Sequence, residues 1–329
     1  EDLKDLIVHA SALLINIGTL TPDKVSYYKE AIALAKKYEV PIVLDPVGCH
    51  AGAYRLSVVL DLIKTGEISL VRGNQSEIKA IYDALSPNNQ ADASTTGKGV
   101  DGGQIEDSAV IAYRLARLIN CPVVATGEED YVSDGTRVFA VPHGHPIMTA
   151  VTGTGCLLGA VLAAFFSAYY PCKNRLSIGE FLGYALAYYG LAGESAVQVS
   201  GVQPGSLSVA FMDSLYTLND AVLISENRIR PVVVPDQLQV YFISGTQDVE
   251  LNEHRLLSIV EDACRGGVTC FQFREKGAGT LIGQQKLELA QQLQQICAKY
   301  NVLYIINDDV DLAVAVNADG VHVGQEDMS

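Results

Sequence analysis

The stretch Val151-Thr152-Gly153-Thr154-Gly155-Cys156-Leu157-Leu158-Gly159-Ala160 decides how the fold is read. Two glycines flank Thr154, Cys156 follows, and apolar and small residues run on to about Phe166. This is a glycine-rich turn feeding a buried helix. The first N–H groups of a helix have no partner within it, and the helix dipole adds partial positive charge at the same end. Such an end receives anions, and glycine lets the backbone approach a phosphate with no Cβ in the way. Cys156 falls at or just inside this N-terminus, a place that favours a thiolate. A phosphate cradle beside an acid–base group suits phosphoryl transfer to a small molecule. The plainer alternative is a tight turn before a core helix, with Cys156 as packing. The stretch alone leaves both open.

Composition narrows the field. With 329 residues there is room for two domains, and 49% hydrophobic content supports a sizeable core. A net charge of -15, a pI near 4.7 and scattered Lys and Arg argue against a nucleic-acid surface. The seven cysteines are odd in number and form no C-x-x-C, which fits free thiols and a cytoplasmic location. His143-Gly144-His145 is a close pair without an acidic or Cys partner, so no metal site is expected there. The longest strongly apolar run, Leu157 to Tyr170, has 14 residues, too few to span a membrane. The chain begins at Glu1 rather than Met, so an N-terminal truncation is expected and the lack of a visible targeting signal excludes nothing.

Upstream of the cradle the pattern alternates strand and helix. Ala12–Ile17 reads as a buried strand, Thr21-Pro22 as a capped helix start, and Pro41–Val47 as a strand apolar on both faces. Helix 54–64, strand 68–71, helix 76–85, a long polar loop 86–104, helix 106–119 and strand 122–126 follow. Asp134-Gly135 marks a hairpin, and helices near 157–170, 177–199 and 205–219 come after the cradle. The order predicts a doubly wound α/β domain over residues 1–223. Ligands of such sheets bind beyond the strand C-termini, where Asn16, Asp45, Arg72, Asn74 and Thr126 fall.

Charge and two prolines make 224–237 a linker. From 238 to 329 a new βα series starts, with strands near 239–243, 268–273, 302–306 and 320–323. Its alternation suggests a (β/α) barrel, but a complete one takes eight strands and about 250 residues. This stretch therefore reads as about four strands of a partial barrel.

Several residues carry candidate chemistry. Asn74-Gln75-Ser76-Glu77 offers an amide and a carboxylate at a strand-to-helix junction, where they can hold the waters of Mg²⁺; an ordinary helix start with an acidic first turn fits as well. Arg72 can meet a nucleotide phosphate. Gln272, Arg274 and Lys276 alternate along a strand end, so all three point to one face and suit a diphosphate, unless they are solvated charges on an edge strand. Asp308 and Asp327 end neighbouring strands and can share a Mg²⁺; their plainer readings are a helix cap and a loop acid.

Taken together, six motifs resemble one family: Asn16-Ile17-Gly18-Thr19-Leu20, Leu44-Asp45-Pro46-Val47-Gly48, Arg72-Gly73-Asn74-Gln75-Ser76-Glu77-Ile78, Thr126-Gly127-Glu128-Glu129-Asp130-Tyr131-Val132, Gly144-His145-Pro146-Ile147-Met148 and Val151–Cys156. The first unit, roughly residues 3–220, is similar to hydroxyethylthiazole kinases of the ribokinase-like fold. Cysteine at 156, where many ribokinase-like enzymes carry Asp, is part of that resemblance. It implies ATP-dependent phosphorylation of 4-methyl-5-(2-hydroxyethyl)thiazole. On that reading Cys156 is catalytic, Arg72 and Thr126 contact ATP, Gly153 contacts the thiazole, and Asp45, Asn74 and Glu77 support phosphate and Mg²⁺. It also implies a homotrimer with sites between subunits.

Gly267–Lys276, Ile305–Asp309 and Gly320–Asp327 resemble the first half of thiamine-phosphate synthase. The resemblance implies that Gln272, Arg274, Lys276 and Asn307 hold an aminopyrimidine diphosphate and that Asp308 and Asp327 hold Mg²⁺. With the synthase barrel cut in half, that activity is expected to be absent from these 329 residues. The expectation is thus a bifunctional thiamine-biosynthesis enzyme acting on small molecules, without nucleic-acid or membrane partners. Another ribokinase-like small-molecule kinase, or an inactive thiazole- or nucleotide-binding module, is the alternative.

Overall fold

The computed structural model describes residues 2–86, 108–169 and 176–324. The loop expected at 86–104, Ser86 apart, lies outside the described residues, as do Cys172 and Asp327. The chain divides into two units, 1–232 and 233–329.

In the first unit α1 (Asp2–Val8) precedes β1 (Leu13–Asn16), α2 (Pro22–Lys37), β2 (Ile42–Asp45), α3 (Ala53–Ile63), β3 (Leu70–Asn74), α4 (Gln75–Leu85), α5 (Ser108–Ile119) and β4 (Val123–Thr126). Local chemistry sets these boundaries. Thr21 caps α2 by accepting the Lys24 N–H, Pro22 opens it, and Lys36 and Lys37 sit at its negative end. β2 is buried at all four positions, as a parallel strand covered on both faces must be. β1 to β4 pair in parallel. β5 (Asp130–Ser133) and β6 (Val138–Val141) then continue the sheet antiparallel through the Asp134-Gly135 turn, where Gly135 takes a positive φ of 85°. α6 (Thr154–Ser167), α7 (Ile178–Ser200), α8 (Pro204–Thr217) and α9 (Asp220–Glu226) follow.

Helices cover both faces, as expected, but the winding differs from a doubly wound sheet. Strand order is sequential, β1 to β7, with no reversal. Ile32, Val59, Leu62, Ile78 and Leu115 from α2 to α5 pack one core. Leu158, Leu162, Leu186 and Leu207 from α6 to α8 pack the other. The cradle helix therefore lies across the opposite face from α2–α5, where Gly159 brings it close to Leu14 and Asp45.

Two boundaries depart from expectation. β3 extends to Asn74, so Arg72, Gly73 and Asn74 are strand residues held by Val124, Ala125 and Thr126 of β4. Within the expected linker, Arg230–Val232 form β7, which pairs antiparallel with β6. Pro231 is tolerated because β7 is the sheet's edge.

In the second unit β8 (Tyr241–Ser244), α10 (Glu253–Arg265), β9 (Cys270–Phe273), α11 (Gly283–Lys299), β10 (Leu303–Asn307), α12 (Val310–Ala315) and β11 (Gly320–His322) alternate. All pairs are parallel and the order is β11-β10-β9-β8, an open four-stranded sheet. Phe271, Phe273, Tyr304 and Ile306 face a helix-covered core with Leu256, Val260, Leu289 and Leu293. The opposite face carries a small cluster of Cys270, Leu303 and Ile305, and there Ile243 is 50% exposed.

Candidate functional site

The cradle forms as its sequence dictates. Gly153 is the N-cap of α6 with φ 97°, a left-handed conformation that glycine adopts without penalty. The first bond into the helix runs from the Leu157 N–H to the Gly153 carbonyl. The N–H groups of Gly155 and Cys156 therefore face outward from the helix start. Two bonds brace this turn: Thr154 Oγ1 donates to the Met148 carbonyl at 3.1 Å, and Tyr189 of α7 donates its hydroxyl to the Thr154 carbonyl at 2.5 Å. Burial pushes the Tyr189 hydroxyl above its usual pKa, so it stays a donor. Of the six cysteines among the described residues, five are buried and Cys156 alone is exposed. The packing alternative for Cys156 is thereby removed.

Beneath the cradle, strand ends converge. A Cβ placed on Gly155 would stand 3.5 Å from Arg72 Nη2, so the guanidinium lies directly under the turn. Arg72 donates to Thr126 Oγ1 at 3.3 Å and pairs with Asp45, Nη1 to Oδ1, at 3.5 Å. Asn16, the register partner of Asp45, donates to Asp45 Oδ2 at 2.8 Å. Asp45 Oδ1 is buried and accepts no hydrogen bond. Burial pushes the Asp45 carboxyl up to about 6; Arg72 opposes the rise and Glu77 adds to it.

Asn74 and Glu77 form a capping box. Asn74 Oδ1 accepts the Glu77 N–H at 2.9 Å, and Glu77 Oε2 accepts the Asn74 N–H at 2.8 Å. Glu77 Oε1 also accepts the Gly48 N–H at 2.8 Å, tying α4 to the loop after β2. The helix-start reading of this motif is thus realised. Each Glu77 oxygen keeps a second lone pair, and Asp45 Oδ1 accepts no hydrogen bond beyond its ion pair with Arg72, so these oxygen donors fit the chemistry of a hard cation. Asp130, which sequence reasoning passed over, accepts the Gly127 N–H at 2.9 Å; burial pushes its carboxyl up to about 6 against the pull of Arg72.

In the second unit the strand ends also gather polar groups. Gln272, buried, donates Nε2 to Asn307 Oδ1 at 2.7 Å, and Asn307 donates Nδ2 to Asp308 Oδ2 at 2.7 Å. Lys276 closes the chain through an ion pair with Asp308. Strand alternation does not carry on to Arg274 and Lys276, because β9 ends at Phe273. Arg274 still donates its N–H to the Ser244 carbonyl at 3.0 Å, and its side chain is exposed. Asp308 adopts a positive φ of 62°, and the helix cap of α12 is Asp309 instead.

Comparison with known proteins gives this geometry a lineage. A family model described as the hydroxyethylthiazole kinase family matches residues 1–221. The chain belongs to the hydroxyethylthiazole kinase family. A hydroxyethylthiazole kinase of Streptococcus agalactiae is 44% identical over 69% of this chain and 84% of that protein. The solved hydroxyethylthiazole kinase structure from Pyrococcus horikoshii superposes with a TM-score of 0.59 at 32% identity, covering 70% of this chain and 81% of that one. A second family model, thiamine monophosphate synthase, matches residues 240–329. The thiamine biosynthesis bifunctional protein ThiM/ThiE of Symbiobacterium thermophilum is 34% identical over 97% of this chain. The chain spans 63% of that relative's length. The kinase family region is thus followed by a synthase family region, the order read from sequence.

Proposed function

We infer that the first unit phosphorylates the hydroxyl of 4-methyl-5-(2-hydroxyethyl)thiazole with ATP, and that the second belongs to the step that joins thiazole phosphate to an aminopyrimidine diphosphate. The observation that carries the kinase reading is the α6 N-terminus: two outward backbone N–H groups and an exposed Cys156, directly above the Arg72 guanidinium.

On this reading the roles follow from position. The N–H groups of Gly155 and Cys156 bind the transferring phosphoryl group as its charge spreads over three oxygens. Arg72 and Thr126 hold the nucleotide phosphates. Gly153 leaves open space against the thiazole, since nothing lies within 4 Å of where its Cβ would be. Cys156 orients the acceptor hydroxyl and takes up its proton. Asp45 and Glu77, with Asn74, hold a hydrated Mg²⁺, which when bound neutralises charge on the ATP phosphates. In the second unit Gln272, Arg274, Lys276 and Asn307 bind the diphosphate, and Asp308 with Asp327 holds Mg²⁺. The enzyme works in the cytoplasm as a homotrimer.

The test is ADP release across a panel of acceptors: hydroxyethylthiazole, sugars and other small alcohols, with Cys156→Ala as control. Turnover stimulated by hydroxyethylthiazole and lost in Cys156→Ala supports the reading. Stimulation by a sugar instead, or nucleotide binding without turnover, contradicts it.

A further inference from the structure

The segment after α9 lies beyond the residues matched by the kinase family model, yet it is built into the first unit. Two arginines there reach separate loops of the site. Arg228 donates its backbone N–H to His143 Nε2 at 3.1 Å. Its Nη2 donates to the Pro142 carbonyl at 3.0 Å and to Glu194 Oε1 of α7 at 2.5 Å. Arg230, two residues on and paired with Ala140 of β6, donates Nη2 to both carboxylate oxygens of Glu129 at 2.8 and 2.9 Å. Glu129 also accepts the Tyr131 hydroxyl at 2.7 Å.

Each contact leads into the site. Glu129 belongs to the turn Gly127–Asp130, which starts immediately after Thr126. Pro142 and His143 open the loop that ends at the cradle. Glu194 accepts the next N–H, Gly144, at 2.9 Å. The loop presses so closely on α7 that a Cβ on Gly190 would meet the His143 carbonyl carbon at 2.7 Å. It then enters the turn Pro146–Ala150, where the Met148 carbonyl accepts Thr154 Oγ1, two residues before Cys156.

The two arginine side chains are 49% and 56% exposed, so their ion pairs contribute little to stability. Holding a loop in register is a different matter, since misplacing a reacting group by about 1 Å costs up to about 100-fold in rate. We propose that Arg228 and Arg230 are positioning residues for phosphoryl transfer. The strand that carries them straps down both the nucleotide-side turn after Thr126 and the loop that sets Gly153–Cys156. The proposal rests on the kinase reading above.

The test compares wild type, Arg228→Ala, Arg228→Lys and Arg230→Ala in the full chain. Hydroxyethylthiazole-stimulated ADP release, calorimetric ATP binding and thermal melting are measured together. Arg230→Ala is expected to raise KM and Kd for ATP about 5-fold and leave the thiazole KM unchanged. Arg228→Ala is expected to lower kcat about 10-fold with a melting curve like wild type, and Arg228→Lys to recover part of it by keeping the Glu194 pair. Wild-type kinetic constants in both alanine variants would overturn the proposal. So would a loss of kcat that only tracks the loss of folded protein. Wild type that binds ATP without thiazole-stimulated turnover sinks the kinase reading; the strap is then judged on ATP binding, where an unchanged Kd in Arg230→Ala overturns it. Wild type that does not bind ATP overturns both.

Discussion

Arg72 Nη1 stands 3.5 Å from Asp45 Oδ1, with the Asp45 side chain fully buried and that of Arg72 9% exposed. The pair sits where two strand ends meet the cradle helix, and its charge state sets the field under the cradle. Burial outweighs the pull of Arg72, so the carboxyl rises to about 6.

A pH profile follows. For an acid whose folded pKa is raised, the stability gained on folding is present below the unfolded pKa and lost as pH rises through about 6. Activity has the opposite sign, because binding cations and Arg72 needs the carboxylate. We expect kcat/KM to fall as pH drops below about 6. Asp45→Asn should lose on the order of 100-fold at pH 8 and show no such acid limb. Asp130→Asn should keep the limb, although Asp130 also titrates near 6, because that carboxylate closes a turn. An unchanged limb in Asp45→Asn would assign it elsewhere.

Two helical glycines should respond oppositely to alanine. Helix propensity alone favours Ala over Gly by about 1 kcal/mol. At Gly205 in α8 nothing lies within 4 Å of the new Cβ, so Gly205→Ala should stabilise by about 0.5 kcal/mol. At Gly190 the Cβ would meet His143 Cβ at 2.5 Å and the Gly144 nitrogen at 2.9 Å. Gly190→Ala should therefore destabilise by about 1–3 kcal/mol despite its propensity. Urea denaturation of both variants measures the two signs.

His143 should make the first unit acid-sensitive. Its side chain is fully buried; Nε2 accepts the Arg228 N–H, and Nδ1 stands 3.0 Å from Arg228 Nη2 and 3.5 Å from Glu194 Oε1. Burial and then Arg228 lower its pKa, against Glu194 and Glu226. For a base with a lowered folded pKa, stability is complete above the ordinary value near 6.5 and is lost as pH falls through it. Asp45 and Asp130 act in the opposite direction, so the informative quantity is a difference. Between pH 7.5 and 5 wild type should lose more melting temperature than His143→Gln; equal losses would remove His143 from the account.

In the second unit Asn307 stands between Gln272 and Asp308. Asn307→Ala strands the buried Gln272 amide and should cost about 1–3 kcal/mol. Adding Gln272→Leu should recover much of that loss, because the unpaired polar group is gone. A double-mutant cycle on chemical denaturation checks it; additive losses would show that the two amides are not coupled.

Much of this was legible in sequence because local chemistry fixed it. The Thr21-Pro22 cap, the apolar β2 and the glycine turn at 153–155 need no tertiary partner to be read. What escaped depends on distant pairing. Gly73 and Asn74 are poor strand formers, and pairing with β4 holds Arg72, Gly73 and Asn74 in the strand. Pro231 and its charged neighbours read as linker, although an edge strand accepts them. The partners of Arg228 lie 34 to 86 residues away and Glu129, the partner of Arg230, 101 residues away, beyond any motif. Gly190 and Gly193 on α7 did carry a signal: small residues one turn apart in a buried helix mark a close approach.

On the proposed function, the α6 N-terminus above Arg72 transfers phosphate to a thiazole alcohol. The most direct measurement is mass-spectrometric detection of phosphorylated hydroxyethylthiazole made by this chain from ATP. The account predicts stoichiometric thiazole phosphate and ADP from wild type and a large loss in Cys156→Ala. ATP consumption without a thiazole phosphoester, or full product formation by Cys156→Ala together with Arg72→Ala, would contradict it.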